Sequence, residues 1–136
     1  QQNVCKLSTA QADMLAAVCP EDWDVLAIQE PFLDFLGNTK ANGYWQVIYS
    51  SDYRHNGSSC TCSILLVNTD ISTDAYTQLT IPSIDIAAVH FNGTYGCLSL
   101  FGIYNNCTHN KVILSLSHFL STSLCAAHPS PSDHMI

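Results

Sequence analysis

A chain of 136 residues has room for one domain, and 47% hydrophobic against 11% charged residues excludes a disordered polymer. Its four basic residues, Lys6, Lys40, Arg54 and Lys111, against a net charge of −7 argue against a stand-alone nucleic-acid binder that works by neutralising phosphates. No apolar run approaches the roughly eighteen residues of a membrane span, and residues 1–10 lack the apolar centre of a secretory signal, so an intracellular, non-secreted, non-membrane protein is expected.

Residues 1–4 read as a strand already under way. A helix follows: Ser8 and Gln11 have capping-box spacing, Leu7 sits at the staple position, and Ala12, Leu15, Ala16 and Cys19 form an apolar face before Pro20 ends the helix near Val18. The apolar run at 25–28, bounded by Asp24 and by Gln29-Glu30-Pro31, has the pattern of a strand buried on both faces. A loop over 31–42 turns at Gly37-Asn38. Residues 44–49 alternate as a strand with two usable faces, 62–67 form an apolar strand and 76–81 a weaker one. Strands at 84–91 and 97–104 are joined by Asn92-Gly93, a hairpin signal. Asn110 then caps a helix carrying Val112, Ile113, Leu116, Phe119, Leu120 and Leu124. A loop over 128–133 leads to Met135-Ile136, the first step of a further strand. The expected class is α/β, with both chain ends falling inside elements.

The seven cysteines, at 5, 19, 60, 62, 97, 107 and 125, cannot all pair within one chain, and no C-x-x-C occurs. Free, mostly buried thiols in a reducing compartment are the simplest reading. The sequons at Asn56, Asn92 and Asn106 are read as chance matches, since a glycosylated, disulfide-bonded secreted protein would need a signal sequence.

Chemistry is sought where rigid strands end in polar residues. Asn3 ends the opening strand, Glu30 the second, and Tyr104-Asn105 the strand at 97–104. Singly, such residues are usually turn chemistry, a solvated loop charge or half-buried packing. Together at adjacent strand ends, an amide, a carboxylate and a phenol could serve a Mg²⁺ ion, which keeps several waters and takes few protein ligands. Asp34 and Asp52 are only loosely placed as further carboxylates.

The ordered set Gln1-Gln2-Asn3, Leu26-Ala27-Ile28-Gln29-Glu30-Pro31, Asp34-Phe35-Leu36-Gly37-Asn38-Thr39, Trp45-Gln46-Val47-Ile48-Tyr49, Ser63-Ile64-Leu65-Leu66-Val67-Asn68 and Ile103-Tyr104-Asn105 resembles the endonuclease/exonuclease/phosphatase superfamily. More narrowly it is similar to the endonuclease domain of fungal non-LTR (LINE-type) retrotransposons. The resemblance covers essentially the whole chain. It implies the N-terminal half of a four-layer α/β sandwich, with Glu30 binding Mg²⁺ or Mn²⁺, Asn3 orienting the metal site and Tyr104 contacting the scissile phosphate of DNA. It implies metal-dependent hydrolysis of DNA, nicking a target strand to prime reverse transcription, and a nuclear setting as one intracellular option.

The departures are equally specific. The family's Gly-Asp-x-Asn segment is absent, so residues 1–136 are expected to be a partial domain that stops before it. Ser132-Asp133-His134 matches the family's terminal motif in letters, but its position about thirty residues after Tyr104 does not fit, and it is not taken as catalytic. Cys62 stands where relatives usually carry a basic residue, and Asn106 where they often carry Asp. The expectation is a phosphodiesterase fragment inactive alone. The alternative is a catalytically dead interaction module that pairs with another polypeptide through an uncovered sheet face and strand edge.

Overall fold

The computed structural model describes residues 1–54, 60–94, 96–124 and 134–135. Eight strands form two four-stranded sheets. The first, in the order β1-β2-β4-β3, is built from β1 (Gln2–Asn3), β2 (Val25–Gln29), β3 (Trp45–Ile48) and β4 (Ser63–Asn68). The second, in the order β5-β6-β7-β8, is built from β5 (Tyr76–Gln78), β6 (Ile86–Gly93), β7 (Gly96–Ile103) and β8 (His134–Met135). Helix α1 (Ser8–Ala17) links the parallel strands β1 and β2, and α2 (Lys111–Phe119), continued by a wider turn over Leu120–Leu124, lies between the parallel strands β7 and β8.

Three apolar clusters account for the layering. On one face of the first sheet, Ile28, Trp45, Ile64 and Leu66 pack with Leu15, Met14 and Val18 of α1 and its flank. Ile48, Leu65 and Val67 meet Ala87 and Val89 between the sheets. On the far face of the second sheet, Ile86 and Ala88 pack with Val112, Leu116 and Phe119 of α2. The order is helix, sheet, sheet, helix: the four-layer α/β sandwich that the sequence resemblance implies. Alternation puts Leu65 and Val67 on the inner face of β4 and Ile64 and Leu66 on its outer face, so every residue of this strand is buried. Gly102 on β7 is needed for the close approach of the two sheets: a Cβ there would stand 3.0 Å from both Leu65 Cδ2 and Ser63 Oγ.

The structure corrects several expectations. Each outer sheet face carries a helix. Among the described residues, apolar surface of the expected kind remains at the edge of β2, which on that side pairs with the two-residue β1, and where Met14, Val18, Trp23, Leu26 and Ala27 line an open cleft. The capping box does not form. Leu7 occupies the cap position without a side-chain bond, while Gln11 is 1% exposed and reaches across to the β2–β3 connection. Its amide donates to Thr39 Oγ1 and the Lys40 carbonyl, at 2.7 and 2.6 Å, and accepts from the Phe32 N–H at 2.9 Å. Leu15 does lie on the buried side of α1, but Ala12, Ala16 and Cys19 face solvent. The described cysteines are free as expected, yet Cys5, Cys19, Cys60 and Cys107 are exposed rather than buried, and Cys62 and Cys97 are half-buried. Cys125, the sequon at Asn56, and Ser132-Asp133 lie outside the described residues; the His134 backbone begins β8.

Candidate active site

Strand polarity determines which ends meet. β1, β2 and β3 run in one direction, and their C-terminal ends share an edge with the start of β4. In the second sheet, the start of β6 shares an edge with the end of β7. Direct bonds join these two edges. Gln29 Nε2 donates to the Ile103 carbonyl at 2.8 Å, and the Thr61 hydroxyl donates to the Ile84 carbonyl at 2.6 Å. The polar residues that end β2 and β7 are thereby brought face to face.

Glu30 and Tyr104 meet as the sequence suggested: the Tyr104 phenol donates to Glu30 Oε1 at 2.9 Å, across 74 positions of sequence. Both side chains are half-buried. The Glu30 backbone lies in the left-handed region, with φ 49°, an arrangement that costs a non-glycine residue about 1–2 kcal/mol. It is held from both sides. The Glu30 N–H donates to the Cys62 carbonyl at 2.9 Å, and the Glu30 carbonyl accepts from the Lys6 N–H at 2.7 Å.

Asn3 lies one strand away at the same edge, paired in register with Gln29. Its side chain does not reach Glu30 or Tyr104 but folds onto its own turn, where Oδ1 accepts from the Cys5 N–H at 2.8 Å. That turn contains two further left-handed residues, Cys5 (φ 51°) and Lys6 (φ 58°). Asn3 therefore braces the turn whose Lys6 amide holds Glu30. Asn105, the other polar residue at the end of β7, accepts from the Cys107 N–H at 3.2 Å and is likewise occupied by its own turn.

Two residues at this edge carry more than the sequence indicated. Asp85, just before β6, is half-buried; its Oδ1 accepts from the Cys62 N–H at 3.1 Å and its carbonyl accepts from the Tyr104 N–H at 3.0 Å. Cys62 lies between the two carboxylates. Burial first, then the charges of Asp85 and Glu30, push its thiol above the ordinary value, with Lys6 opposing. The hydrogen bond to Glu30, followed by burial and the charges of Glu30 and Asp85, pushes the Tyr104 phenol up as well. Both groups are therefore neutral at pH 7. A lone Asp ahead of a strand reads as ordinary turn chemistry, so no local signal marks Asp85; only the docking of the sheets does.

Asp85 also borders an open cleft of about 540 Å³, lined further by Asp52, Ser83, His109 and Lys111 together with Ile84 and Leu114. Ser115 of α2 closes its floor by donating to the Pro82 carbonyl at 3.2 Å. Asp34 lies apart: its carboxylate accepts from the Leu36 and Asn38 amides and closes the Gly37 turn. Among the described residues, no group of three or more His, Cys, Asp and Glu converges as a ready-made metal cage.

No family model and no curated protein matches the chain. Among solved structures, it is similar to the endonuclease domain of TRAS1, a telomere-specific non-LTR retrotransposon, with a TM-score of 0.62 over 88% of this chain at 16% identity. The chain spans 51% of that structure's length. In its two helix-covered sheets the chain shares the fold of about half of that retrotransposon endonuclease domain.

Proposed function

We propose that this chain supplies one side of the active site of a metal-dependent DNA endonuclease, with Glu30 as the metal-binding carboxylate. The observation that carries the reading is the bond from the Tyr104 phenol to a half-buried Glu30 carboxylate at the shared strand edge. The donor set suits Mg²⁺ or Mn²⁺ rather than zinc: among the described residues a single carboxylate is offered without a converging His/Cys set, and Mg²⁺ retains most of its waters. When bound, such an ion supplies positive charge where a phosphodiester gains negative charge on cleavage.

Each residue of the chain has a distinct part in this reading. Glu30 binds the cation, and Tyr104 fixes the Glu30 rotamer and presents a neutral hydroxyl to a phosphate oxygen. Asn3 and Lys6 hold the Glu30 backbone. The cleft beside Asp85, with Lys111 and His109 at its rim, takes the DNA strand flanking the cut. Hydrolysis also needs a proton acceptor near the attacking water, a part that none of these residues plays, so the chain alone is expected not to turn over.

The test is Mn²⁺ titration of the ¹⁵N-labelled chain. Paramagnetic broadening centred on Glu30, Lys6 and Tyr104, and lost in Glu30→Gln, supports the reading; no localised broadening sinks it. A nicking assay on supercoiled plasmid accompanies it. Robust Mg²⁺-dependent nicking by the 136 residues, abolished in Glu30→Ala, would keep the chemistry and overturn the need for outside groups.

A further inference from the structure

Glu30 stands in a backbone conformation that its own chain does not favour, so its carboxylate points into the site only because neighbours hold it there. Two of its three backbone and side-chain anchors lead to one residue. The Glu30 N–H bonds the Cys62 carbonyl, and the Cys62 N–H bonds Asp85 Oδ1; the Glu30 carboxylate bonds the Tyr104 phenol, and the Tyr104 N–H bonds the Asp85 carbonyl. The four residues, drawn from β2, the approach to β4, the approach to β6 and the end of β7, form a closed ring of hydrogen bonds between 2.9 and 3.1 Å.

We propose that Asp85 is the positioning residue for the Glu30 carboxylate, its side chain closing this ring by holding the Cys62 amide. The inference rests on the reading of Glu30 as the metal-binding group. Three features support it. Cys62 precedes β4 and has no strand partner of its own for its N–H, so the Asp85 oxygen is the acceptor that fixes this peptide. The adjacent Thr61 hydroxyl, fully buried and bonded to the Ile84 carbonyl, sets the same two segments at a constant separation, leaving Asp85 to set their direction. The other anchors are a backbone amide, from Lys6, and the phenol itself. Among the described residues, substitution of Asp85 thus removes the side-chain link that acts on the Glu30 backbone from the second sheet.

A positioning role requires the oxygen acceptor, whereas direct metal ligation requires the charge. Asp85→Asn separates them, because its amide oxygen can accept the Cys62 N–H without the charge. The experiment is amide hydrogen exchange by NMR on the ¹⁵N-labelled chain, with Mg²⁺ affinity measured in parallel, on the wild type, Asp85→Ala and Asp85→Asn. The expected result for Asp85→Ala is exchange at Cys62 and Glu30 faster by about fivefold or more, in line with the loss of one hydrogen bond. Mg²⁺ binding weakens about tenfold, as for outer partners of a metal ligand. Leu65 and Val89 in the strand cores keep their protection, and Asp85→Asn restores both readouts. Unchanged exchange at Glu30 in Asp85→Ala overturns the proposal. Asp85→Asn that restores exchange but not Mg²⁺ affinity overturns it in favour of direct charge at the cation. A wild-type chain that binds no Mg²⁺ removes the metal reading of Glu30, and the ring is then upheld or rejected on the exchange data alone.

Discussion

The two ends of the sandwich are built on opposite terms. The end that carries Glu30 and Tyr104 also holds every basic residue. Lys6 lies in the β1–α1 turn, Lys40 over the Phe32 ring at 5.3 Å, Arg54 in the β3–β4 connection, and Lys111 at the start of α2. The far end, where β2 and β5 start and β4 stops, carries Glu21, Asp22, Asp24, Asp70 and Asp74. Backbone strain divides the same way: Cys5, Lys6, Glu30 and Cys107, the non-glycine residues with positive φ among those described, all lie at the Glu30 end. The net charge of −7 is therefore a poor guide to what a phosphate meets at either end. At the Glu30 end the four basic residues stand with the carboxylates Glu30, Asp34, Asp52 and Asp85 and with the unfavourable backbone, whereas the far end carries carboxylates on simple turns.

The largest expected effect is at the carboxylate. Glu30→Gln should weaken Mn²⁺ binding by at least about 100-fold, read from paramagnetic broadening, whereas Asp70→Asn at the far end should leave it unchanged. If Asp70→Asn weakens it equally, the division between the ends fails. Next is Gly102→Ala, whose added Cβ would stand 3.0 Å from the Leu65 and Ser63 side chains and force them to shift in a packed interface. A loss of about 1–3 kcal/mol in urea denaturation is expected. Strain at the site is isolated by comparing Glu30→Gly with Glu30→Ala. Neither carries a carboxylate, and the glycine variant should be more stable by about 1 kcal/mol. Equal stability would show that the left-handed backbone costs nothing.

Three smaller effects concern protons and phosphate. The Tyr104 phenol is raised above its ordinary value of 10.0. The stability it contributes is thus fully present below pH 10 and lost as pH rises through the raised value. Tyr104→Phe should flatten that alkaline loss in thermal melts. The Cys62 thiol, raised above 9.0, should react with maleimide at pH 7.5 several-fold more slowly than exposed Cys60, because the thiolate is the reacting species. Lys111→Ala should weaken binding of a short DNA duplex about two- to fivefold at low salt, an effect that vanishes as salt rises.

Much of the fold was legible because buried strands advertise themselves: the apolar runs at 25–28 and 62–67 allow no other use for their side chains. Glu30 and Tyr104 were legible as polar residues that end such strands. Gln11 was misread because capping-box spacing is local, whereas its real partners, Phe32, Thr39 and Lys40, lie 21 to 29 positions away. The face of α1 was partly misassigned for a related reason: small Ala12 and Ala16 fit either side of a helix, and tertiary contact kept Leu15 but added Met14 in place of the alanines. Asp85 was invisible because its partner Cys62 lies 23 positions away, across two sheets. Cysteine's general preference for the interior says little about Cys5 and Cys107, which sit in strained turns.

The ring that joins Glu30 to Tyr104 spans 74 positions and both sheets. Contacts of such long sequence separation form late, after shorter loops have closed. As the chain leaves the ribosome, Glu30 emerges and the first sheet can condense well before β7 exists to supply the phenol. Until Tyr104 arrives, the carboxylate is a freely rotating group on an open turn. On the proposed reading of Glu30, a fixed carboxylate is thus acquired only once β7 docks on the first sheet, after the strand that carries Glu30 has formed.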